Sequence, residues 1–313
     1  MKTIKNYFLF VSTFIISILP AIAQEETTDQ SKFPVLNGPY LGQITPRMKA
    51  EIFAQEILVS KGAHTNIVFS LEGKEAYWSQ NGILFSKLEN GKWITPQLLP
   101  FSKKEYSDDA PFLSPDGKRL FFTSKRPTTN SDLSRKENIW VVDLTDEGWS
   151  EARLLPPIVN NMFQHWQVSV DMNRNLYFGH RLDKDSDKDI YLSKYINGEF
   201  QKPEKLGEMI NSELGEINPF ISPNGDYLIF SRIKDGIIFD GGLFISFRLS
   251  NDTWSEAKPL KQYLKFRFGG NCAIVTQESK YLFFLDSFKG EWERYWVSAK
   301  FLKELKPLEL KNK

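Results

Sequence analysis

Beyond about residue 46 the apolar residues fall in short runs separated by turn residues, and the runs recur. The clearest unit is Ala110-Pro-Phe-Leu-Ser-Pro-Asp-Gly-Lys-Arg-Leu-Phe-Phe-Thr-Ser124: an apolar strand, a tight turn and a second apolar strand. Asp-Gly between apolar runs is a strong hairpin signal, because Gly accepts positive φ at no steric cost. The same frame returns at Asn218–Ser231 around Ser222-Pro-Asn-Gly225. With the turn eroded it returns again at Asn66–Ser79, Trp166–Phe178 and Asn271–Phe284.

Each hairpin is followed by a third apolar run: Ile83–Ser86, Ile139–Val142, Ile190–Ser193, Leu243–Ser246 and Tyr295–Ser298. A fourth run carries an aromatic residue and a Leu six positions on, as Trp93/Leu99, Trp149/Leu155, Phe200/Leu206 and Trp254/Leu260. Four short antiparallel strands in roughly 45–55 residues is the period of a propeller blade. The pattern therefore predicts an all-β chain forming a five-bladed β-propeller of four-stranded antiparallel blades, with six blades as the alternative. The fifth hairpin has no fourth strand of this kind after it. Ala50–Phe53, running on to Val59, repeats that strand's pattern and is expected to complete the last blade from the N-terminal side, although Phe301–Leu308 competes for the role. Closure of this kind removes two open sheet edges. Trp78, Trp140, Trp296, Phe122 and Phe284 are expected between blades, since a lone blade cannot bury both apolar faces.

The first 23 residues have another character. Lys2 and Lys5 precede an apolar run, Tyr7–Leu19, and Ala21-Ile-Ala23 is a small-x-small cleavage site. They read as a signal peptide, 24–45 as a linker and 46–313 as the propeller domain. The protein is then expected in the periplasm or secreted, with no stable membrane span after cleavage. Cys272 is the one cysteine of the 313 residues, so no internal disulfide forms; its strand-like neighbours predict a buried thiol. The 40 basic and 39 acidic residues nearly cancel, which leaves no field to favour nucleic acid.

Ser114-Pro115-Asp116-Gly117-Lys118-Arg119-Leu120-Phe121-Phe122, with Ser222-Pro223-Asn224-Gly225 second, resembles the TolB-like or WD40-like Pro-Asp-Gly (PD40) propeller repeat. The resemblance covers nearly everything after residue 46. The lead-in Pro39-Tyr-Leu-Gly42 is similar to exported propeller proteins of Gram-negative bacteria. It implies a periplasmic scaffold for protein or ligand binding; the same repeat accompanies serine peptidases and some oligosaccharide lyases. Fold alone does not choose among these uses.

Alternation of strand direction puts the Asp-Gly hairpins on one face of the ring and the longer loops, Lys125–Lys136, Arg181–Lys188 and Arg232–Asp240, on the other. Long loops on a rigid ring are where function usually sits. Residues entering the inner strands on that face are His64, Asn66, Asp108, Asp109, His165, Trp166, Glu216, Asn218 and Asn271. Arg126, Arg181 and Arg232 close three second strands. Converging arginines clamp anions through forked hydrogen bonds, or else they pair with acids of their own or the next blade such as Asp109 or Glu216. The expected ligand site is Asn66, Asp109, Arg126, His165, Trp166, Arg181, Glu216, Asn218, Arg232 and Asn271. The expected function is a non-catalytic scaffold for a protein, peptide or glycan partner; assembly work in an envelope complex is a variant of it. The alternative is a glycan-active hydrolase or lyase using Asp109 and Glu216, or histidines, at the channel mouth. His64, His165 and His180 show no metal-ligand spacing. Asp183–Asp189 has oxygens at alternate positions but lacks the Gly and Glu of a calcium loop, so it reads as a solvated acidic loop. No phosphate-cradling loop or nucleophile elbow is present, and no cofactor is implied.

Overall fold

The computed structural model describes residues 33–58, 65–129, 134, 136–161, 165–181, 188–234, 237–265, 270–288 and 291–311. Residues 1–23, read as a signal peptide, His64, Val59 and most of the acidic loop lie outside them. The compact unit runs from Pro34 and consists of five antiparallel sheets in a ring, a five-bladed β-propeller. Blade 1 holds Ile67–Phe69, Glu75–Ser79 and Ile83–Glu89 from the axis outward; blade 2 holds Asp109–Leu113, Arg119–Ser124 and Asn138–Thr145. Blade 3 holds Val168–Val170, Leu176–His180 and Asp189–Ser193. Blade 4 holds Gly215–Ile221, Tyr227–Lys234 and Ile237–Phe247, and blade 5 holds Asn271–Val275, Tyr281–Phe288 and Glu291–Ser298.

The hairpin turns keep one geometry even where the motif is lost. Ser114 Oγ accepts from Arg119 N, and Gly117 N donates to Ser114 O. Ser70, Ser222 and Thr276 repeat both bonds with Glu75, Tyr227 and Tyr281 and with Gly73, Gly225 and Ser279. In blade 3 the Asp171 carboxylate accepts from Asn173 N and Asn175 N. The fourth turn residue has positive φ in every blade: Gly73, Gly117, Gly225, but also Arg174 and Ser279. Glycine fits this slot; the other two hold it at a steric cost of about 1–2 kcal/mol each.

The outer strand is a two-piece strand, where the sequence pattern suggested one run. In blade 1, Lys92–Trp93 pairs with the far end of Ile83–Glu89 and Gln97–Leu98 with its start. Gly148–Trp149 and Arg153–Leu154 do the same in blade 2. The Trp and Leu of the spacing are thus anchors at the two ends of a jog. Just past that Leu, a buried Asn clamps strand to strand. Asn160 bonds Ile139 N, Ile139 O and Leu155 O; Asn211 bonds Ile190 N, Ile190 O and Leu206 O.

Closure occurs where expected. Glu51 and Ile52 pair with Trp296 and Tyr295, completing blade 5, and Phe53 N donates to Arg294 O at 2.7 Å. The competing segment, Phe301–Leu308, forms no strand: Ala299–Phe301, Leu302–Leu305 and Leu308–Lys311 are short helical turns, and Phe301, Leu302 and Leu305 pack into the core. Phe53 is 1% exposed, with Trp296, Phe283 and Phe69 ring centres 4.9, 5.1 and 5.8 Å away. Tyr40, from the segment read as a linker, packs against Phe69, Tyr281 and Trp296 and donates to Glu278. Trp93 Nε1 donates to Gly38 O, so residues 36–41 strap the outside of the same seam. Trp78, Trp140, Phe122, Phe284 and Cys272 are buried as expected. No helix among the described residues is long and apolar enough to cross a membrane.

Phe53→Ala is expected to remove about 3–5 kcal/mol from the unfolding free energy, read from denaturant midpoints. Ser279→Gly, relieving an exposed left-handed residue, is expected to raise stability by about 0.5–1 kcal/mol in the same assay.

Candidate functional site

The inner strands enter the ring through an irregular step. Their registers shift after Asp109, Ile217 and Asn271. The residue at the step has left-handed backbone in four blades: Ala110, Trp166, Asn218 and Cys272, with φ of 49, 48, 52 and 48°. Bulges of this kind re-aim side chains. Here they turn a set of amides inward, across the axis.

Those amides bond to one another. Asn66 Nδ2 donates to Cys272 O at 2.8 Å. Asn218 Nδ2 donates to Asn271 Oδ1 at 2.8 Å, and that oxygen also accepts from Ser231 Oγ and Cys272 N. Gln167 reaches from blade 3 to Pro219 O of blade 4 and Ala273 O of blade 5. The layer divides the channel. Toward the hairpin face lies an apolar pocket bounded by Val68, Phe112, Phe220 and Ile274, with a volume of about 30 Å³, enough for a couple of waters. Of the expected ligand residues, Asn66 and Asn218 are spent in this layer, and both are buried.

The arginines divide in the same way. Arg126 Nη2 lies 2.7 Å from Asp108 Oδ2, and the Asp108 side chain is fully buried. Ser102 Oγ and Lys103 N donate to the same oxygen. Rings of Phe122, Trp140 and Tyr106 surround the guanidinium at 5.0–5.2 Å. In blade 4, Arg232 Nε lies 3.0 Å from Glu216 Oε1, which also accepts from Ser212 N and Oγ. Burial raises the Glu216 carboxyl above its usual range, while Ser212 and Arg232 pull it back. Both arginines are internal wedges of their own blades. The partner of Arg126 is Asp108, one residue before the Asp109 suggested by the sequence. Glu216 faces the wall and is sealed from the channel mouth.

What is reachable at the mouth is a smaller group. Of the five equivalent step residues, Asn66, Ala110, Asn218 and Cys272 are at most 5% exposed; Trp166 is half-buried. Trp166 sits between two charged residues that hold the same place in consecutive blades, two before the clamped Ile139 and Ile190. Its N–H donates to Glu137 Oε1 at 3.1 Å, and Lys188 Nζ stands 3.6 Å from its ring centre. Burial raises the Glu137 carboxyl; the Trp166 and His165 amides oppose this, and nearby Asp109 adds to it. Burial, with the charge of half-buried Arg181, pushes Lys188 down to about 8. Asp109 Oδ1 accepts from Thr65 Oγ1 at 3.0 Å and from Ala110 N. Arg294 donates to Thr65 O from below, and burial pushes it down to about 10. His165 is fully buried behind the rim.

The structure thus leaves Asp109, Trp166 and Arg181 partly exposed, ties Asn271 into the amide layer, and withdraws Asn66, Arg126, His165, Glu216, Asn218 and Arg232 into the wall. Glu137 and Lys188 were not singled out in the sequence. Their signal was position: each immediately precedes a third strand that starts with a polar residue and a clamped Ile. Among the described residues no group of three or more His, Cys, Asp or Glu is arranged to hold a metal.

No family model matches the chain, and no curated protein sequence does. Several solved structures are similar in part. An exo-1,5-α-L-arabinanase from a bovine ruminal metagenomic library is 12% identical, with 75% of this chain and 92% of that one covered and a TM-score of 0.46. The nidogen/laminin complex is 12% identical over 68% and 69%, with a TM-score of 0.45. Hydrazine synthase of Kuenenia stuttgartiensis is 13% identical over 73% and 70%, with a TM-score of 0.42. The fold assignment rests on the five sheets themselves.

Arg126→Ala leaves the Asp108 carboxylate buried and unpaired, which is expected to cost about 3–5 kcal/mol of stability. Replacing both partners, Arg126→Met with Asp108→Leu, is expected to restore most of that loss. Denaturant midpoints of the three proteins check this; equal midpoints for the single variant and the parent would make the pair dispensable.

Proposed function

We propose that this chain is an exported, non-catalytic propeller of the TolB-like, PD40 type that binds a protein, peptide or glycan partner at the long-loop end of its channel. The observation that carries the reading is Trp166. A bulky residue with positive φ is a genuine outlier, costing on the order of 1–3 kcal/mol, and such strain collects at functional sites. The other left-handed step residues are buried in the ring, whereas this one is partly exposed, with its backbone N–H on Glu137 and its ring under Lys188. An aromatic face flanked by an acid and a base, with Asp109 and Asn271 nearby, offers stacking and hydrogen bonding together. The Pro-Asp-Gly turns and the apolar leader ending in Ala-x-Ala support export and a periplasmic or secreted location.

The second reading, a glycan-active enzyme, keeps Asp109 but exchanges its partner. Glu216 is locked onto Ser212 and Arg232, whereas Glu137 shares the mouth with Asp109 and has its carboxyl raised by burial. Two carboxyls in unlike environments are what acid–base division of labour requires.

Trp166→Ala is expected to weaken capture of a partner from an envelope fraction at least tenfold while leaving the thermal midpoint unchanged or higher. Lys202→Ala, on the outer rim of blade 3, is expected to leave capture unchanged. Undiminished capture by Trp166→Ala would remove the site. For the second reading, turnover of a panel of oligosaccharides that vanishes in both Asp109→Asn and Glu137→Gln is the expected signature.

A further inference from the structure

Blades 2 and 4 brace the long-loop end of their sheets with a buried arginine–carboxylate pair. Blade 3 does not. Aligned on the buried rings Phe178 and Phe230, His180 stands in blade 3 where Arg232 stands in blade 4. Beside it lies His165, wholly buried against Phe178, with a ring-centre distance of 5.7 Å. Both ring nitrogens of His165 are buried, and the backbones of Val159 and Glu137 lie within reach but at poor hydrogen-bond geometry. His180 is close enough for a charge on it to oppose protonation of His165. His165 is also the residue before Trp166, so displacement of its ring moves the rim directly.

The groups that face His165 are few. Lys136 and Glu137 come from the third strand of blade 2, and the turn at Val159 presents only its backbone. From blade 3 come His180 and, opposite it in the sheet, Asp189, which is held by Lys205 at 2.8 Å. Lys188 and Arg181 stand on the solvent side with their own positive charges. Burial is the main force keeping His165 neutral, holding it down to about 4, with His180 and Lys136 acting the same way and the carbonyls of Val159 and Glu137 opposing.

We propose that the two histidines make blade 3 an acid-sensitive latch: protonation of His165 drives its ring toward water and carries Trp166 off the channel mouth. The sign follows from linkage. An unfolded histidine titrates near ~6.5, so the folded preference for the neutral ring is fully present above that pH and is lost as pH falls from there toward 4. Glu137 has the opposite linkage, since its carboxyl is raised, and its titration alone favours the folded rim as pH falls. The regulatory consequence, release of a bound partner in acid, rests on the reading of the rim as the binding site. The latch does not.

Backbone hydrogen exchange of the full chain between pH 7.5 and pH 4.5, corrected for intrinsic rates, tests it without any partner. Protection of Trp166–Val170 is expected to fall at least tenfold below about pH 5.5, while the inner strands of blades 2 and 4 keep theirs. His165→Phe, close in shape to the ring it replaces, is expected to abolish the fall, and Glu137→Gln to retain it. Constant protection at Trp166–Val170 in the folded parent, or an undiminished fall in His165→Phe, overturns the latch. Should His165→Phe not fold, an imidazole NMR titration of the parent decides: a His165 resonance that titrates near pH 6.5 with the rim still protected also overturns it. Loss of capture in Trp166→Ala with no acid transition would keep the site and discard the latch.

Discussion

A sheet that is apolar on both faces has no stable solution alone. It must have a neighbour on each side, and a row of such sheets comes to rest only when the last one meets the first. In this chain that meeting is a two-residue strand and one phenylalanine. Glu51 and Ile52 supply the missing edge of blade 5, and Phe53 fills the wedge between Trp296, Phe283 and Phe69. Two ladder residues contribute little on their own. The strength lies in the aromatic cluster, in which each ring buries area and prefers an edge-to-face neighbour. Tyr40 and the backbone of residues 36–38 cover the same seam from outside, so the joint is sealed in two layers.

Closing the ring creates a second demand. Five inner strands converge at the axis and bring their polar backbone and polar side chains with them. A buried amide left unpaired costs about 1–3 kcal/mol. The left-handed steps at Ala110, Trp166, Asn218 and Cys272 answer this demand, because they rotate side-chain amides into positions where Asn66, Gln167, Asn218 and Asn271 satisfy backbone and each other. The strain at each step is therefore coupled to the hydrogen bonds it permits. That coupling also explains why the channel is not a through-passage: the layer that solves the polar problem occupies the lumen.

Local features were legible in the sequence. Turns, the second and third strands, the buried tryptophans and the closing segment are each set by a few consecutive residues, and apolar runs report them directly. The turn geometry even survives where the motif is gone, since Ser70 and Thr276 supply the same hydroxyl as Ser114. Long-range polar pairing was not legible. Asp108 and Asp109 are adjacent, and only the bulge decides which one faces Arg126 and which one the mouth. Gln167, Glu137 and Arg294 act on other blades, at sequence separations that a single chain of letters does not reveal. One signal was present and passed over: Asn160 and Asn211 each lie five residues after the outer-strand Leu, and this spacing marks the clamp.

The rim inherits its character from these solutions. Where an arginine and a carboxylate fill the blade end, as in blades 2 and 4, each charge is spent on the other. The wall is then rigid, and what stands on it is fixed. Blade 3 meets the same space with histidines, of which the buried His165 is held neutral by burial and gains a charge only in acid. A five-bladed frame whose blade ends are filled differently is not symmetric in its response. Trp166 stands on that blade, its main-chain N–H held by an acid from blade 2 and its ring by a base from blade 3. On the proposed reading, the charge pairs of blades 2 and 4 and the buried imidazole of blade 3 bring recognition and its control together in one arc of the mouth.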